Sequence, residues 1–163
     1  MLRERRGLMS DTYLGKMAPD FTLPTVGGST VTLSQFIGKK VVLYFYPKDN
    51  TPGCSRQAQQ FAESYTNFID ENTVILGVSR DSIQSHEKFT AKLGLPFLLL
   101  SDSDESVCKM YDVIKEKNMY GKKVMGIERS TFLINQTGEI VFVFRKVKVD
   151  RHAEKVLEAL KSF

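Results

Sequence analysis

The stretch Val41 to Tyr46, followed at once by a polar turn ending in Thr51, Pro52 and Cys54, constrains this chain more than any other. Its six residues are β-branched, aliphatic or aromatic without a polar break, as expected of a strand covered on both faces and therefore lying mid-sheet. Thr51 suits a helix N-cap, Pro52 suits the first helical position because its missing N–H needed no partner, and Cys54 then falls in the first turn. Ala58, Phe61, Ala62, Tyr65, Phe68 and Ile69 continue at helical spacing, a stripe that leaves Cys54 to one side.

That position has a chemical consequence. The thiolate is the nucleophilic form of cysteine, and a helix N-terminus favours negative charge, lowering a cysteine pKa from its free value of about 8.5. A small buried core cysteine is the alternative. Pro52, Gly53, Ser55 and Arg56 around Cys54 favour the reactive reading. The chain has one other cysteine, Cys108, and so small a number fits a reducing compartment better than a secreted disulfide scaffold.

Asp20 to Ser34 alternates around Gly27 and Gly28, the pattern of a β-hairpin rather than a phosphate-binding loop. Thr73 to Val78 reads as a second buried strand, with a turn over Ser79 to Ser82 and a helix to about Leu93. Pro96 to Leu100 reads as a third, with Ser101 to Glu105 capping a short helix that carries Val107, Cys108 and Tyr111. His86 and His152 are expected to be solvated side chains, and no metal site is expected. Ile114 to Ile127, with Lys115, Lys117, Lys122 and Lys123, reads as a solvated loop bordering an active site. Ser130 to Ile134 and Ile140 to Phe144 form a hairpin over Asn135 to Gly138, and Asp150 opens a last helix striped by Ala153, Val156, Leu157 and Leu160.

The expected fold class is α/β, a three-layer sandwich with an N-terminal β-hairpin; residues 1-17 are read as a tail and 18-163 as one domain. Of the net charge of +4, Arg3, Arg5 and Arg6 less Glu4 supply two in the tail, so the rest is near balance and no nucleic-acid surface is expected. No apolar run reaches membrane-spanning length and the N-terminus lacks the apolar middle of a secretory signal, so a cytoplasmic location without membrane attachment is expected.

Pro47, Thr51 and Cys54 reproduce PxxxTxxC, and with that motif the chain resembles the peroxiredoxins. YFYPKDNTPGC, and MYGKKVMGIERSTFLI from Met119 to Ile134, are similar to the bacterioferritin comigratory protein (peroxiredoxin Q) branch, over a span from about Ala18 to the C-terminus. The resemblance implies a thioredoxin-like fold and a thiol-dependent peroxidase without cofactor. Its substrates would be hydrogen peroxide and organic hydroperoxides, and its reductant an external thiol, thioredoxin or glutathione with glutaredoxin. By the same resemblance Cys54 attacks the peroxide and becomes a sulfenic acid, Thr51 holds the peroxide, and Arg129 stabilises thiolate and transition state. Backbone N–H groups near Gly53 and Cys54 stabilise the developing charge, while Pro47 and Pro52 shape the pocket. A monomer or weak homodimer is expected.

The chain departs from the branch where a second cysteine would stand. Five residues after Cys54 lies Gln59, and the other family position, on the next helix, falls near Thr90. Cys108 matches neither spacing and reads as a buried, inert thiol, so a one-cysteine mechanism is expected, with resolution by Cys108 as the alternative. A thioredoxin-type disulfide carrier would need CxxC, absent after Cys54. A redox or chaperone module without peroxidase activity is disfavoured by the intact Thr51, Cys54 and Arg129.

Overall fold

The apolar run does lie mid-sheet. A computed structural model describes residues 11–163, so the basic run at 3–6 lies outside the described residues. In chain order come a hairpin of β1 (Thr22–Pro24) and β2 (Thr30–Thr32), the central strand β3 (Lys40–Phe45), and helices α1 (Pro52–Glu63) and α2 (Tyr65–Asp70). Then follow β4 (Thr73–Ser79), α3 (Ile83–Leu93), β5 (Leu98–Ser101) and α4 (Ser106–Met110). The chain ends with β6 (Ile114–Met119), β7 (Lys122–Ile127), β8 (Ser130–Ile134), β9 (Ile140–Phe144) and α5 (His152–Leu160). The main sheet has the order β5-β4-β3-β8-β9. β4 runs parallel to β3 and β5, whereas β8 is antiparallel to β3 and β9.

Because strand side chains alternate, β3 builds two cores. Val41, Leu43 and Phe45 face one that contains Phe21, Leu23, Val31, Val107, Cys108 and Tyr111. Val42, Tyr44 and Tyr46 face the other, with Cys54, Phe61, Phe68, Phe89, Val156 and Leu160. Fully burying a phenylalanine contributes roughly 1.5–3 kcal/mol, so Phe61 and Phe68 hold α1 and α2 against the sheet. The hairpin β1–β2 packs at the β5 end, where Thr25 bridges Leu100. Residues N-terminal to it also attach: Gly15 N–H donates to the Ile140 carbonyl, and the Tyr13 ring stacks on Tyr111.

Three local expectations are corrected. The helical stripe from Ala58 does not run unbroken: the helix stops at Ser64 and restarts at Tyr65, leaving Ile69 exposed (54%). Ile114 to Ile127 is a β-hairpin, not a loop, turning through Tyr120 and Gly121 at φ 53° and 79°. Two successive positive φ values match the right-handed twist of the flanking strands, and glycine takes one of them without steric cost. The last helix begins at His152, two residues after Asp150. The short helix α4 is capped from the expected acidic stretch, Asp102 accepting the Val107 and Cys108 N–H groups, and α3 ends at Leu93, closed by Gly94 in the left-handed conformation.

Candidate active site

β3 ends at Phe45, and the chain crosses Tyr46 and the loop Pro47 to Thr51 before entering α1 with Pro52 as its first residue. Cys54 therefore sits in the first turn, at the positive end of the helix. Because β8 is antiparallel to β3, pairing Ser130 with Phe45, the residue before β8 is delivered to the same end of the sheet. That residue is Arg129. Its Nη2 donates to Cys54 Sγ at 3.3 Å and its Nη1 to Gln57 Oε1 at 2.6 Å. The Val147 N–H, donating to the Arg129 carbonyl at 3.0 Å, holds the backbone there. Gly53 makes room: a Cβ on it would lie 3.3 Å from Arg129 Nη2, so a side chain would press on the guanidinium.

Thr51 occupies the N-cap position but makes no side-chain cap bond. Its hydroxyl donates instead to the Lys48 carbonyl at 2.9 Å. Pro47 is half-buried and Pro52 exposed on either side of it. The Lys117 side chain of β6 is half-buried beside Gly126 of β7. Partial burial, then repulsion from Arg129 and Arg80, lowers its pKa, against the opposing pull of Cys54.

Cys54 is itself buried, 2% exposed, and belongs to the core with Ala58 and Phe61 rather than being passed by their stripe. The spacing 54, 58, 61 is one helix face, and the polar neighbours of Cys54 in sequence point elsewhere. Cys108 lies in the core on the opposite face of the sheet, and burial, followed by its hydrogen bond with Asp102, raises its thiol pKa far above the ordinary range. The five-stranded sheet thus stands between the two sulfurs.

Gln57 was not singled out by sequence reasoning. It is fully buried one turn after Cys54, its Oε1 orients the guanidinium, and its Nε2 has no hydrogen-bond partner among the described residues. The signal was present: a glutamine three residues from the cysteine shares its helix face.

Both histidine expectations are also overturned. His86 is 0% exposed, with Nδ1 at 2.6 Å from Asp49 Oδ2 and Nε2 at 2.9 Å from the Leu100 carbonyl. It lies between Ile83 and Phe89 at three-residue spacing, on the buried face of α3. Asp49, Asp81 and His86 bring three potential ligand atoms within 4.8 Å of one another, but internal hydrogen bonds engage them all. His152 is 3% exposed and its Nε2 is 2.8 Å from Thr131 Oγ1.

Burial, then the charges of Lys155 and Arg129, lowers the His152 pKa to about 4. The unfolded chain binds a proton near pH 6.5, so native stability is complete above that pH, falls as pH drops toward 4, and changes no further below it. The loss amounts to roughly 3 kcal/mol over that window. Denaturant melts at successive pH values check it: His152→Asn should flatten the slope between pH 6.5 and 4, and an unchanged slope removes His152 as the cause.

The chain matches the AhpC/TSA family model over residues 14–143. It is 51% identical to peroxiredoxin Bcp of Xanthomonas campestris pv. campestris, covering 94% of this chain and 98% of the relative. Among solved structures it is similar to the X. campestris bacterioferritin comigratory protein, from work on its alkyl peroxide reduction activity, with TM-score 0.83 and 51% identity over 87% of this chain and 90% of that one. A mutant of Xylella fastidiosa PrxQ superposes with TM-score 0.87 at 49% identity, covering 91% and 95%.

Proposed function

The chain belongs to the AhpC/TSA family as a peroxiredoxin of the Bcp type, a thiol-dependent peroxidase of thioredoxin-like fold, and from that premise we propose that Cys54 is its peroxide-reducing thiol. The supporting observation is the Arg129 donor 3.3 Å from the Cys54 sulfur at the start of α1. A thiolate accepts such a charge-assisted bond more strongly than a thiol. The sulfur attacks the terminal oxygen of a hydroperoxide, the O–O bond breaks, and the leaving alkoxide or hydroxide takes a proton to depart as alcohol or water. Thr51 holds the peroxide between Pro47 and Pro52, and first-turn N–H groups at Gly53 and Cys54 stabilise the departing charge. Organic hydroperoxides are proposed as substrates beside hydrogen peroxide, in line with the alkyl peroxide reduction activity of the X. campestris relative.

Cys54 sulfenic acid is then reduced by two equivalents of external thiol, releasing water and the thiol's disulfide. Thioredoxin is the reductant we propose, ahead of glutathione with glutaredoxin. Cys108 takes no part in this scheme, because it is buried on the other side of the sheet. After treatment with peroxide and dimedone, peptide mass mapping without reductant should find the adduct on Cys54 and no Cys54–Cys108 link. That disulfide, if found, would overturn the one-cysteine mechanism.

A further inference from the structure

The Thr51 hydroxyl is aimed through the loop that precedes it. The Asp49 N–H donates to Asp81 Oδ2 at 2.8 Å, and the same carboxylate oxygen accepts the Ser79 hydroxyl at 2.6 Å. The Lys48 carbonyl belongs to the same planar trans peptide as that N–H, so it points the opposite way. There it accepts the Thr51 hydroxyl. The Asp49 carboxylate anchors the other side of the loop: Oδ1 accepts the Tyr46 hydroxyl at 2.6 Å, and Oδ2 accepts Ser85 Oγ at 2.8 Å beside His86 Nδ1. His86 passes the tie to the Leu100 carbonyl. One peptide plane is thus fastened to the ends of β3, β4 and β5 and to α3.

We propose that Asp81, backed by the Asp49–His86 pair, is a positioning residue for peroxide reduction: it fixes the Lys48–Asp49 peptide so that Thr51 gives its proton to Lys48 and presents its oxygen only as an acceptor. A hydroxyl has one proton and two lone pairs, so once the proton is committed the group can only accept. A hydroperoxide carries one O–H and meets such an acceptor correctly; a dialkyl peroxide has no proton to offer. This inference rests on the reading of Thr51 as the group that holds the peroxide.

The test is a double-mutant cycle on the full chain with hydrogen peroxide as probe, following the second-order rate of Cys54 oxidation. Alkylation of Cys54 by iodoacetamide, which needs no acceptor at Thr51, serves as the control. Thr51→Val and Asp81→Ala should each slow oxidation about 30-fold or more, the two together should be little slower than either alone, and alkylation should stay within about threefold. Asp81→Asn keeps one acceptor oxygen and should lose less, about threefold to tenfold, with the same non-additivity; it carries the test if Asp81→Ala does not fold. Additive losses, an unchanged oxidation rate in the Asp81 variants, or an equal fall in alkylation overturns the relay. Full activity in Thr51→Val alone would instead refute the role given to Thr51 itself.

Discussion

Cys54→Ser is expected to reduce thiol-dependent peroxide consumption to the background of the assay. The reasons are nucleophilicity and ionisation together. A serine hydroxyl stays protonated near neutrality, and the guanidinium 3.3 Å from the sulfur cannot supply the many pH units that ionising it would take. The fold should survive, because the substitution is nearly isosteric, although a hydroxyl replaces sulfur at a site 2% exposed. Arg129 can give that hydroxyl a hydrogen bond, so the cost in stability should stay within about 1–2 kcal/mol. Peroxide loss coupled to a thiol reductant measures the activity, and a thermal melt confirms folding. Turnover by the folded serine variant at more than a small fraction of wild type would show that the reacting sulfur lies elsewhere.

Arg129→Lys should cost on the order of a hundredfold in the rate of Cys54 oxidation, about 2.7 kcal/mol of transition-state stabilisation. The guanidinium spends Nη2 on the sulfur and Nη1 on Gln57. An ammonium is a point charge on a flexible stem without that planar fork, so it cannot serve both partners in the same geometry. It also leaves Gln57 with neither amide atom partnered, since Nε2 already has none. That orphaned pair should lower stability by roughly 1–3 kcal/mol. Stopped-flow oxidation kinetics, read beside a melt, separate the two effects. Wild-type kinetics in the lysine variant would take Arg129 out of the chemistry and leave it a packing role.

Much of this was readable along the chain because it depends on near neighbours. The unbroken apolar run that makes Val41 to Tyr46 a strand, the proline that opens α1 and the acidic cap at Asp102 all act within one helical turn or one strand. The same is true of Cys54 standing at a helix start. Its burial is not legible in the same way, because its sequence neighbours are polar while its surroundings in space are the apolar residues a turn or more away.

His86 and His152 show the boundary most clearly. Their partners are Asp49, 37 residues away, and Thr131, 21 residues away, and a polar side chain is buried only where such a partner awaits it. The hairpin of β6 and β7 was hidden for a related reason: among the described residues it forms a two-stranded sheet of its own and keeps lysines on much of its surface, so no apolar alternation announces it. Local sequence alone determined the succession of the main-sheet strands and the placing of one cysteine at a helix N-terminus, because short-range backbone preference suffices for both. Tertiary structure decided what surrounds that sulfur. Arg129 stands just before β8, 75 positions further on, Gln57 is turned inward by packing, and Cys108 is sequestered behind the sheet. Those are consequences of strand direction and side-chain alternation, which become definite only when the sheet has closed.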